Sequence, residues 1–246
     1  PMNFLSEGKT ASYVQTGAWS EKAFKEAKFF GTPVEAASTK ENKYKNIPSQ
    51  EDIKFNADDA YVHITSNNTI FGTQWKVFPD TGDVPLVADM SSDILSKPVD
   101  VSKFGIIYAG AQKNLGPSGV TVVIIRKDLL EKANTNIPTM LKYTTHADNN
   151  SLYNTPPTFG IYMLGEVLKW VEAQGGLEKV AQNNEEKAAL IYDVIDASNG
   201  FYYGHAEEGS RSLMNITFRV ADEELEKKFL AEAKEAGFVG LNGHRS

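Results

Sequence analysis

The 246-residue chain has no cysteine. That excludes disulfides, thiolate zinc sites and a cysteine nucleophile. No run is long and apolar enough to span a membrane, and none reads as a secretory signal. Positive charge is in deficit, with 25 Lys+Arg against 32 Asp+Glu and a net charge of −7. This balance, with no basic cluster, argues against a nucleic-acid partner. No two of the four histidines have metal-ligand spacing, so no metal is expected. His63, on a strand, is expected to be a satisfied structural histidine, and His146 and His205 carry no signal. There is no Gly-x-Gly-x-x-Gly and no P-loop, and Gly116-Pro-Ser-Gly119 is expected to be a turn. What remains is the composition of an ordinary globular protein, long enough for one large domain or one domain plus part of another. A cytoplasmic location away from membranes is expected.

Periodicity and punctuation set out the elements. Thr10 to Thr16 reads as a strand, and Ser20 as the N-cap of a helix running to Phe30, closed by Gly31 and Pro33. Glu35 to Gln50 is polar and lysine-rich and is expected to be surface loop. Ala60 to Thr65 is a strand, followed by a turn at Asn67, Asn68 and Gly72. Further strands end near Asp89, Tyr108 and Arg126. Thr158 to Ala173 reads as an amphipathic helix with Met163, Leu164, Val167, Leu168 and Val171 on one face. Gly175-Gly176 is the expected hinge, giving domains 1–176 and 177–246. In the second, Leu177 to Ala197 and Asp222 to Ala236 read as helices, and Leu213 to Val220 and Phe238 to Leu241 as strands. That alternation suggests a small α+β domain.

Chemistry concentrates in two places. Tyr108-Ala-Gly-Ala-Gln-Lys-Asn-Leu-Gly-Pro-Ser-Gly119 sets a single lysine, Lys113, in a glycine-rich turn. Two apolar runs flank it, Phe104 to Tyr108 and Val120 to Ile125, both read as buried strands. The connection is short for a parallel crossover, so the two strands are expected to be antiparallel neighbours. A desolvated lysine there has a lowered pKa and is a nucleophile toward aldehydes, although most loop lysines are merely solvated. Asp89 ends the apolar run Val84-Pro-Leu-Val-Ala-Asp89, at the strand end where α/β sheets bind ligands. A Schiff-base lysine and an aspartate for a pyridinium nitrogen are the two protein groups that pyridoxal 5'-phosphate (PLP) needs. Asp89 is equally open to a plainer role as a helix cap or turn residue.

The chain also carries a set of strings that resembles one family nearly end to end. They are Thr16-Gly-Ala-Trp19, Ser66-Asn-Asn-Thr-Ile70, Ala88-Asp-Met-Ser-Ser92, Tyr108-Ala-Gly-Ala-Gln-Lys-Asn114, Tyr153-Asn-Thr-Pro-Pro-Thr158 and Gly243-His-Arg245. In these the chain resembles the phosphoserine aminotransferases, class V aminotransferases of PLP fold-type I. The resemblance implies an α/β fold with a mixed, mostly parallel sheet flanked by helices, plus a smaller α+β C-terminal domain. It implies PLP as cofactor and amino transfer between L-glutamate and 3-phosphohydroxypyruvate, giving O-phospho-L-serine and 2-oxoglutarate in serine biosynthesis. Lys113 is then the Schiff-base lysine and proton shuttle, and Asp89 the pyridinium partner. Trp19 stacks on the cofactor ring, Thr69 lies beside its phenolic oxygen, and Gln112 contacts its phosphate. Asn154 and Thr155 reach the cofactor phosphate of the neighbouring subunit in a homodimer with shared sites, and His244 and Arg245 bind the substrate phosphate. The rival readings are another fold-type I aminotransferase and a catalytically incomplete PLP-fold fragment. The first is opposed by His244-Arg245, since a phosphate dianion needs charge-assisted donors. The second is opposed by the presence of Lys113. The chain opens at Pro1 and stops at Ser246, and it is expected to be a piece of a longer protein. By the resemblance, a glycine-rich phosphate turn, several arginines and a closing helix lie outside it.

Overall fold

The computed structural model describes residues 1–243. Strand β1 (Thr10–Gln15) leads into helix α1 (Ala18–Ala27) and strand β2 (Thr32–Ser38). Strand β3 (Val62–Thr65) is followed by a hairpin of β4 (Asn67–Asn68) and β5 (Thr73–Gln74). Strands β6 (Leu86–Asp89), β7 (Ile106–Gly110) and β8 (Thr121–Ile125) come next. Short helices α2 (Lys127–Glu131) and α3 (Tyr143–Asp148) precede the long α4 (Thr158–Ala173) and α5 (Gly176–Ala197). Strands β9 (Tyr202–Gly204) and β10 (Phe218–Val220) and helix α6 (Glu223–Glu235) complete the elements.

Six strands form one sheet in the order β2-β1-β3-β6-β7-β8. All neighbours are parallel except β7 and β8, which are antiparallel as their short connection requires. The period-2 alternation of the strands sorts side chains to two cores. Val14, Val62, Ile64, Leu86, Ala88 and Ile107 face one, with Trp75 and Phe104 packed on them. Ala11, Tyr13, Val87 and Ile106 face the other, beneath α1. Full burial of a single such aliphatic side chain is worth about 1.5–3 kcal/mol, so a one-residue slip in any central strand would forfeit several.

The sequence expectations need five corrections. The stretch from Glu35 is not all loop: β2 runs to Ser38 and extends the sheet beside β1, with a register shift at Tyr13/Val14. Polar composition misled because an edge strand buries only part of each residue. For the same reason β8 is half exposed rather than buried. Ser20 is not the N-cap of α1; Gly17 is, and Ser20 reaches back to it from the third helical position. Leu168 lies off the packed face of α4 and is exposed. Of the two C-terminal strands, only Phe218–Val220 of the first forms, pairing antiparallel with β9, and Phe238 to Leu241 forms none. α5 with β9 and β10 builds a separate cluster around Ala188, Tyr192 and Ile195. Among the described residues no helix is long and apolar enough to cross a membrane.

Candidate active site

Four neighbouring parallel strands, β1, β3, β6 and β7, end at one rim, the ligand-binding edge of an α/β sheet. Trp19, Thr69, Asp89, Gln112 and Lys113 each end or closely follow one of these strands.

After β1 the chain turns into α1 at Gly17. The Ser20 hydroxyl accepts the N–H of Thr16 (2.9 Å) and of Gly17 (3.0 Å) and donates to the Gly17 carbonyl (2.8 Å). A Cβ at Gly17 would fall 2.7 Å from Asn68 Oδ1, so glycine is what lets the β4–β5 hairpin approach. Asn68 is fully buried and bridges the Thr16 and Thr73 hydroxyls (3.1 and 3.0 Å). Asn67 beside it donates to Ser92 Oγ (2.8 Å) and Asn215 Oδ1 (2.7 Å) and accepts from Ser212 Oγ (2.5 Å). The hairpin that carries Thr69 is thus clamped from both sides.

The Lys113 loop is fixed from beneath. Ala111 and Leu115 are buried with Val120, Val122 and Leu164 of α4. A Cβ at Gly110 would lie 2.6 Å from Gln112 Oε1, which places the Gln112 side chain back over the strand end. Lys113 Nζ donates to Thr69 Oγ1 (2.7 Å) and stands 5.7 Å from the centre of the Trp19 ring. Lys22 Nζ lies 4.4 Å from the same ring, and each contact is a cation–π attraction. Desolvation pulls the Lys113 amine below the ordinary lysine pKa, against the opposing charges of Asp89 and Asp93.

Asp89 Oδ1 accepts the Ser91 N–H (2.9 Å), so the carboxylate holds its own turn as well as facing the site. Its backbone carbonyl accepts the Ser66 N–H (2.9 Å). The Ser66 hydroxyl lies between that carbonyl and the buried Asp93 carboxylate. Burial raises the Asp93 pKa, and the Gln74 amide donates to it (3.1 Å). His63 is buried and its Nε2 lies 2.9 Å from the Tyr108 hydroxyl. Its Nδ1 has no hydrogen-bond partner among the described residues, so the ring is only half satisfied, contrary to expectation. Burial holds it neutral by pushing its pKa down to about 3. Of the other two, His205 bonds the Lys43 carbonyl (2.7 Å) and His146 that of Met140 (2.9 Å).

Not every predicted residue joins this group. Asn154 and Thr155 are exposed just ahead of α4, with Asn154 Nδ2 donating only to the Thr155 carbonyl (3.4 Å). Neither caps α4, which starts after Pro157 without a side-chain cap. His244 and Arg245 lie outside the described residues. Sequence reasoning missed Asn67, Ser92, Asp93 and Tyr108 as individual site residues. Their period and position were visible, but which side chain meets which across strands was not.

The donor set fits PLP. A partly desolvated amine without its full proton affinity suits an aldehyde, an indole 5.7 Å away suits a flat ring, and a half-exposed carboxylate at a strand end suits a pyridinium. The class-V aminotransferase model matches residues 1–245. Fold and site therefore define the chain as a PLP-dependent aminotransferase of fold-type I, and it belongs to the class-V family. Its relatives narrow this further. It is 81% identical over all 246 residues to the phosphoserine aminotransferase of Lysinibacillus sphaericus (strain C3-41), spanning 68% of that protein. It superposes on the phosphoserine aminotransferase of Bacillus circulans subsp. alkalophilus with a TM-score of 0.97 at 60% identity, covering all of this chain and 68% of that one. The PLP-bound phosphoserine aminotransferase of Trichomonas vaginalis gives a TM-score of 0.91 at 37% identity, covering all of this chain and 70% of that one. Within the class-V family the chain belongs with the phosphoserine aminotransferases.

Proposed function

We propose that the chain carries out PLP-dependent amino transfer from L-glutamate to 3-phosphohydroxypyruvate, releasing 2-oxoglutarate and O-phospho-L-serine, in the cytoplasm and as a homodimer. The observation that carries this reading is the meeting of Lys113, Thr69, Trp19 and Asp89 at one strand rim, in a chain so similar to phosphoserine aminotransferases. PLP, when bound, supplies the electron sink that lets a substrate carbon lose its proton.

The residues supply the rest. Lys113 Nζ, as the free amine that its desolvation favours, would hold the cofactor by condensing with its aldehyde and releasing water, and would take and return a proton at the same atom. Thr69 fixes where that nitrogen sits. Trp19 holds a planar ring by stacking. Asp89 would hold the ring nitrogen of the cofactor, where a carboxylate favours the protonated form of that nitrogen. Gln112 serves the cofactor phosphate. Asn154 and Thr155, ahead of the N-terminus of α4, serve a phosphate in the partner subunit. Their exposure on this chain supports that role. His244 and Arg245 take the substrate phosphate, for which arginine offers a bidentate fork.

Turnover of phosphohydroxypyruvate and of unphosphorylated hydroxypyruvate by the holoenzyme tests this. A strong preference for the phosphorylated substrate, weakened by Arg245→Ala, is expected. Equal turnover of both would refute it. Asp89→Asn should lose most transamination while still holding cofactor, and near-normal turnover would remove Asp89 from its role.

A further inference from the structure

Asp89 is not left to itself. It pairs with Tyr108 across β6 and β7, and on the adjoining strand β3 His63 pairs with Val87, two residues before Asp89. Parallel register and period-2 alternation put His63, Val87, Asp89 and Tyr108 on one face of the sheet. The His63 ring is wedged there, stacked on Tyr13 (4.9 Å between centroids, 29° between planes), with Nε2 at 2.9 Å from the Tyr108 hydroxyl. Register sets Tyr108 directly beside Asp89 on that face, where the carboxylate acts electrostatically on the phenol.

A phenol has one proton to give. If His63 carried its proton on Nδ1, that N–H would be a buried donor with no partner, which native interiors rarely tolerate. Tyr108 would then have to donate to bare Nε2, and nothing would be left for Asp89. The opposite tautomer satisfies the His63 contact and leaves the phenol proton free for Asp89 beside it. We propose that His63 and Tyr108 are positioning residues for Asp89: His63 Nε2–H donates to the Tyr108 oxygen, and Tyr108 O–H donates to the Asp89 carboxylate. The relay aims the carboxylate, since a donated hydrogen bond fixes the direction in which its oxygens lie. The inference rests on the reading of Asp89 as the partner of the cofactor ring. The groups facing Asp89 are the Ser91 N–H, Tyr108 and the charges of Lys113 and Asp93, and Tyr143 acts on Tyr108 from α3. Those facing His63 are Tyr13, Tyr108 and the Pro1 amino group, and Tyr61 stands behind Tyr13 with hydroxyls 2.6 Å apart.

The test uses the holoenzyme. Tyr108→Phe should lower kcat roughly 10-fold, the worth of one charge-assisted hydrogen bond, with KM changed by less than about twofold. It should also shift the pH midpoint of the bound cofactor's visible absorption. His63→Leu should act in the same direction, and His63→Gln, whose amide can replace the Nε2–H donor, should recover most of the loss. If Tyr108→Phe and His63→Leu lower only the melting temperature, leaving kcat and the spectral midpoint in place, the proposal is overturned. Asp89→Asn separates the two levels. If it abolishes turnover while Tyr108→Phe does not lower it, only the relay fails, whereas if it leaves turnover intact the underlying role of Asp89 fails. Should the variants not fold, ¹⁵N NMR of the His63 ring in the unsubstituted protein decides. A neutral ring protonated at Nε2 is expected at about pH 6 to 8, and protonation at Nδ1 overturns the relay.

Discussion

Replacing Asn67 with alanine should be the most costly single change in the polar frame of the site. Asn67 is 1% exposed and makes three side-chain hydrogen bonds, to Ser92, Asn215 and Ser212. At a net value of about 1 kcal/mol each, their loss costs about 3 kcal/mol. The partners are not all orphaned. Ser92 Oγ still donates to the Asn67 backbone carbonyl (2.9 Å), and Ser212 Oγ still accepts from Met214 and Asn215 N–H (both 3.0 Å). The Ser212 proton is left without its acceptor and Asn215 Oδ1 without its donor, but Asn215 is only half-buried and open to water, so the total rises to about 4 kcal/mol. For a domain of this size a loss of about 3–4 kcal/mol is a fall in Tm of about 6–16 °C. Thermal and urea unfolding of Asn67→Ala measure it. Asn215→Ala should be milder, and the double variant should cost about 1 kcal/mol less than the sum, because the two share a bond. A loss below about 1 kcal/mol for Asn67→Ala would refute the claim that these bonds hold the hairpin, and with it the account of how Thr69 is kept at Lys113.

Borohydride reduction of the holoenzyme followed by peptide mass mapping should place the pyridoxyl adduct on Lys113, and an adduct on any other lysine removes the assignment. In cofactor-free protein Lys113 should react with amine reagents at lower pH than exposed lysines. Asp89→Asn should lower that midpoint further, because it removes a carboxylate that favours the charged amine, so a rise would contradict the electrostatics. By linkage, a lysine whose pKa is lowered on folding opposes folding at lower pH, and that penalty lifts as pH rises through the folded value. Mixed dimers of Lys113→Ala with Asn154→Ala/Thr155→Ala subunits should regain activity that neither parent has. No recovery, or an active monomer by sedimentation, would place Asn154 and Thr155 outside the site.

The sequence alone determined the elements whose signals are local. The lysine loop between two strands, their antiparallel pairing and the bounds of α4 followed from glycine punctuation, loop length and a 3.6-residue period, all properties of neighbouring residues. It also marked Lys113 and Asp89, because an isolated lysine in a glycine-rich turn and a carboxylate at a strand end are local anomalies. Strand β2 and the exposure of β8 were illegible, because edge position depends on what lies beside a strand and not on what lies within it. The contacts of Asn67, Asp93 and Tyr108 were illegible for the same reason. Asn67 meets Ser212 and Asn215 across 145 and 148 residues, and Tyr108 meets His63 across 45. No periodicity reports such a distance. Only the closing of the sheet, which brings the ends of β1, β3, β6 and β7 to one rim, turns separate strings into a single site.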